Sequence, residues 1–178
     1  MFIASISNDP HGRFCQLFAD RACYYSDRAD YERQSKQTGI QPYEVSILKD
    51  SIETLSGYII NIESDIYAIL NSLVPAILGA KTDVADLPDD DTVVYFTISD
   101  DAQQAIAHYS NVIAQEKSTI SGIKRSIDGT GKSHAIVTNE EKRLRLHQRE
   151  LEAHEKALSD ALMKLCDAIR EAKPKSDL

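Results

Sequence analysis

The sequence contains no tryptophan, and among its 178 residues there are only seven glycines, five prolines and three cysteines. So little glycine and proline leaves scant material for the tight turns of a sandwich or barrel. Cys15, Cys23 and Cys166 form no CxxC pair and are odd in number, which argues against a disulfide framework and against a zinc knuckle. Strongly apolar runs are also short. The longest, Ile66 to Ala80, falls below the roughly 20 residues a spanning helix needs and contains Asn71, Ser72 and Pro75, so no membrane span is expected. Met1 to Ser7 lacks a basic leader, and the expected location is the cytoplasm. Basic charge is in deficit, 20 against 28 acidic residues for a net charge of -8, which disfavours indiscriminate binding to phosphate backbones or anionic lipid.

Helical periodicity is what the chain has in quantity. A first segment opens at Asn8, Asp9 and Pro10 and runs to Gly39, with Phe14, Leu17, Phe18, Ala22, Tyr25 and Ala29 on one side. Cys15 and Cys23 are expected in the core. A second segment starts near Pro42. Its apolar residues, Val45, Leu48, Ile52, Leu55, Ile59, Ile62, Ile66, Ile69 and Leu73, step by three and four over four heptads, the signature of a coiled-coil seam. Pro75 should kink or end that helix before Gly79.

An acidic connection follows, and then Thr92 to Ile98, a β-branched and aromatic run that reads as a strand. A lone strand needs a partner, and Phe2 to Ser7 is the candidate. Ser99, Asp100 and Asp101 open a third helix in which Ile106, Ile113, Ile120 and Ile127 recur every seven residues. After a loop expected at 128 to 137, Thr138 and Glu141 read as a capping box. Leu144, Leu151, Leu158 and Leu165 then repeat the heptad spacing.

Folded back antiparallel, the two ladders pair with position numbers summing to 271, and Glu116 falls opposite His154 in a register-fixing hydrogen bond. Eight buried ladder side chains do not offset the ordering of roughly 70 residues at about 1.5 kcal/mol each. The hairpin therefore needs the first two helices, or a second chain, against it. The expected fold is all-α with a minor β element, a single domain over 1–178. It comprises an N-terminal helical pair (1–79), a connection with the strand (80–98), a helical hairpin (99–173) and a short tail (174–178).

Few motifs carry chemistry. The run GTGKS, Gly129 to Ser133, ends like a phosphate-binding loop, but Ser126 stands where that pattern requires glycine and a helix precedes it where a strand is needed. It reads as a hairpin tip. His147 and His154, seven residues apart on one face, are too far apart to share an ion unaided, so neither a metal site nor a cofactor is expected. The run R-E-L-E-A-H, Arg149 to His154, resembles the R-x4-6-H pattern of the HEPN ribonucleases, whose domains are helical bundles. That resemblance implies metal-independent RNA cleavage, with His154 moving protons and Arg149 holding phosphate charge; Glu150 departs from the small polar residue usual in the family.

Charge is unevenly spread. Residues 80–101 hold seven aspartates and one lysine, a local -6, whereas residues 124–149 hold seven basic residues against three acids, a local +4. A basic hairpin tip comprising Lys124, Arg125, Lys132, Arg143 and Arg145 could meet nucleic acid, anionic lipid or an acidic protein partner. The expected function is nevertheless non-enzymatic. The stripe Val45, Leu48, Ile52, Leu55, Ile59 and Ile62 outruns the apolar part of the first helix, which suits a protein-interaction or assembly module such as a regulator, chaperone or inhibitor. A two-fold homodimer is the simplest way to cover such a stripe.

Overall fold

A computed structural model describes residues 1–129 and 134–178, the side chains of 134–136 excepted. Its elements in order are β1 (Phe2–Ser7), α1 (Asn8–Gln34), α2 (Pro42–Ser72), α3 (Val74–Leu78), β2 (Val93–Ile98), α4 (Asp100–Asp128), α5 (His134–Met163) and α6 (Cys166–Arg170), with single 3-10 turns at Val84–Asp86 and Lys175–Asp177. The architecture is all-α with a two-stranded sheet. Among the described residues no helix is long and apolar enough to cross a membrane.

The N-terminus supplies the partner that the TVVYFTI strand needs: β1 and β2 run antiparallel, Phe2 opposite Ile98 through Ser7 opposite Val93. Strand periodicity of two then sorts the side chains. Ala4, Ile6, Phe96 and Ile98 enter the main core, whereas Ile3 and Tyr95 point the other way and pack with Leu87 from the acidic connection. Each outer edge is partly closed by backbone pairing, Ile3 with Lys81 and Tyr95 with Lys173. The C-terminal residues are anchored too, since Lys175 Nζ donates to the Leu87 carbonyl at 2.7 Å and pairs with Asp89 at 2.9 Å. Asp90 accepts from both the hydroxyl and the amide of Thr92, which hold its carboxyl below the usual range.

Local chemistry explains most helix ends. Ser99 accepts from the Ala102 amide, with Asp100 and Asp101 in the first turn, as expected. Pro42 opens α2, whose Gln41 amide donates to Glu44 at 2.9 Å. α1 ends at Gln34 rather than Gly39; the glycine lies beyond it at φ 92, the left-handed conformation that lets the chain turn into α2. The helix is interrupted at Leu73, between α2 and α3, and Pro75 in the first turn of α3 has no N–H with which to continue the α2 hydrogen-bond ladder. Two further features depart from expectation. α5 begins at His134, so Thr138 and Glu141 lie inside a helix rather than capping one, and the last helix breaks at Lys164 and Leu165 although neither glycine nor proline marks the spot. Residues on both sides of that break, Leu162, Leu165, Cys166 and Ile169, are buried, so packing rather than local sequence fixes it.

α1 and α2 form one antiparallel hairpin, tied by Arg13 to Asp65, by Arg21 to Glu63 and by stacked Tyr24 and Tyr58 rings. α4 and α5 form the other. The hairpins meet through their inner halves, where Phe14, Ile66, Leu70, Ile77, Ile106, Leu158, Leu162 and Ile169 join the sheet in one core. Outward of that core α1 buries no residue at all. Cys15 is only half-buried and Cys23 is exposed, contrary to the expectation that both are core; only Cys166 is buried.

Candidate functional site

The apolar stripe of α2 lies in the seam with α1. Val45, Leu48, Ile52, Leu55 and Ile62 are half-buried and Ile59 is buried, although the α1 residues beyond Tyr31 are mostly polar. α2 also presents apolar residues that the seam pattern missed. Tyr43 and Ile47, 64% and 60% exposed, stand with Tyr58 on one side of the outer arm, and Ile60 stands on another. Ile47 lies between two open grooves, one of about 730 Å³ at the turn lined by Gln34, Ile40 and Leu48, and one of about 380 Å³ lined by Tyr31, Asp50 and Leu55. The signal was in the sequence, because Tyr43, Ile47 and Tyr58 fall on one helical face.

On the second hairpin, Glu116 of α4 does not reach His154. Its Oε2 lies 2.8 Å from Nδ1 of His147, and Glu150, one turn further along α5, brings Oε2 to 3.3 Å from the same nitrogen. All three side chains are partly exposed. His154 lies instead beside Tyr109, ring centroids 6.4 Å apart, and its Nδ1 is buried without a hydrogen-bond partner. The position numbers of Glu116 and His147, and of Tyr109 and His154, sum to 263, eight below the expected 271, whereas those of the paired Lys117 and Glu155 sum to 272. α4 continues to Asp128 and α5 begins at His134, inside the stretch expected to be loop. Lys117 of α4 reaches Glu155 of α5 at 2.9 Å.

Arg149 is exposed and His154 half-buried on α5. Five residues apart on a helix, they project about 140° from one another, so one small group could not touch both without bending around the helix. Of the basic tip, Lys124, Arg125, Arg143 and Arg145 are exposed, and Arg143 is paired with Glu140 at 3.0 Å. Lys132 and most of the GTGKS run lie outside the described residues. In comparisons with protein-family models, curated proteins and solved structures, no match is found.

Proposed function

We propose that the chain is a non-enzymatic interaction or assembly module that works in the cytoplasm through the outer arm of the α1/α2 hairpin. The observation that carries this reading is Ile47, 60% exposed between two open grooves and flanked by Tyr43 on the same face. Exposed aromatic and aliphatic side chains beside concave surface are what a partner desolvates at the centre of an interface. A second copy is the simplest partner, in a two-fold dimer.

Light scattering on the purified chain at micromolar concentration tests this, together with a pull-down from the native host. The wild type should be a dimer or hold a protein partner, and Ile47→Asp should weaken that association at least about tenfold while leaving the melting temperature within a few degrees, since the residue is already exposed. A monomer that captures nothing, with Ile47→Asp indistinguishable from it, sinks the reading.

The exposed basic side chains at the tip favour a second reading, a nucleic-acid adaptor. Filter binding that weakens as salt rises, without cleavage, and that disappears in Arg143→Glu with Arg145→Glu, is its expected result. Binding that survives the charge reversal places any such site elsewhere.

A further inference from the structure

We propose that Glu116, His147 and Glu150 form a binding site for a divalent transition-metal ion, with zinc as the representative probe. The inference is independent of the interaction surface, which lies on the other hairpin. One ligand comes from α4 and two, in the H-x-x-E spacing that puts successive side chains on one helical face, come from α5. Each offers one ligand atom, and the three atoms lie within 4.8 Å of one another. The imidazole Nδ1 stands 2.8 and 3.3 Å from the two carboxylate oxygens. Ligands held at about 2.0 to 2.2 Å around a tetrahedral ion are separated by roughly 3.4 Å, so small side-chain rotations complete the arrangement.

Charge points the same way. Nδ1 carries at most one hydrogen, so one N–H is shared between two carboxylates, whereas a dication satisfies both and the nitrogen together. Two neighbouring cations are engaged elsewhere: Lys117 pairs with Glu155 and Arg143 with Glu140. Among the described residues, His147 is the only ion-pair partner of Glu116 and of Glu150. One nitrogen with two oxygens suits zinc, cobalt, nickel or iron(II) better than magnesium or calcium, which prefer all-oxygen sites. Partial exposure leaves an entry path and room for water to fill the fourth position. An ion there ties α4 to α5 between Ile113 of the shared core and the buried Ile120 and Ile123 further out.

Calorimetric titration of the metal-free full chain with zinc chloride reads the site directly. The expected result is one saturable site per chain, a higher melting temperature with zinc, and no competition from equal magnesium. His147→Ala and His147→Gln should abolish binding, and Glu116→Gln and Glu150→Gln should each weaken it roughly tenfold or more, with circular dichroism confirming the fold of every variant. Cobalt(II) should show d–d bands without the intense thiolate charge-transfer absorption that a cysteine site would give. Absence of saturable zinc binding, binding unchanged in the His147 variants, or a thiolate band overturns the proposal.

Discussion

Phe14→Ala should lower stability by about 3 to 5 kcal/mol, the range for truncating a buried aromatic, and for a chain of this size the melting temperature should fall by roughly 6 to 20 °C. Phe14 is fully buried and is the only buried residue of α1, in contact with the Phe18 ring at a centroid separation of 4.9 Å. The rest of that helix is polar or half-exposed, so its attachment to the shared core depends on Phe14 with support from Leu17 and Phe18. Ile52→Ala provides the contrast. Ile52 belongs to the same hairpin but lies half-buried in the outer arm, and its loss should cost less than about 2 kcal/mol because less apolar surface returns to water. Urea unfolding followed by circular dichroism measures both. Equal costs at the two positions would show that the core is spread along the hairpin rather than concentrated where the two hairpins meet.

The three thiols should differ in reactivity by orders of magnitude. Cys166 is buried, and that burial, with Asp167 alongside, pushes its thiol from an ordinary 9.0 up to about 11 despite the opposing effect of Arg21 and Arg170. That change alone lowers the thiolate fraction near neutral pH about a hundredfold, and reagent access requires local opening besides. Cys23 is exposed and Cys15 half-buried. Maleimide labelling at neutral pH, read by mass spectrometry, should modify Cys23 first, Cys15 more slowly and Cys166 only in denaturant. Prompt labelling of Cys166 in the native protein would contradict its placement in the core. The raised value also fixes the sign of a pH effect: its stabilising contribution is present below about pH 9 and is lost as pH climbs through about 11. Tyr95 acts in the same direction, since burial raises its hydroxyl, which donates to the Pro88 carbonyl.

Much of the fold is legible residue by residue. Seven-residue spacing in Ile106 to Ile127 and in Leu144 to Leu165 requires two amphipathic helices, and β-branched density in Thr92 to Ile98 requires a strand whose only candidate partner is Phe2 to Ser7. These are local or near-local signals, and α4, β1 and β2 stand where those signals put them, whereas α5 starts before its apparent cap and stops at Met163, short of Leu165. The candidate sites are less legible. Tyr43 and Ile47 sit outside the α2 seam and look like scattered apolar residues until α1 is seen to cover the seam and leave them exposed.

Register is where sequence alone runs out, for a definite reason. A ladder repeating every seven residues is unchanged by a shift of seven, so Ile120 can face Leu151 or Leu144 with the same apolar match. The arithmetic that gave 271 gives 264 equally well. Nothing in the repeat itself separates them, and the start of α5 at His134 is not legible in the sequence because Thr138 and Glu141 imitate a cap. In the structure the partner of Glu116 is His147 instead of His154, and Glu150 comes within reach of the same nitrogen. Periodicity in the chain by itself determined that two helices must pair and which faces they use. Only tertiary structure decided which polar residues meet across that pairing, because a seven-residue repeat is satisfied by more than one register.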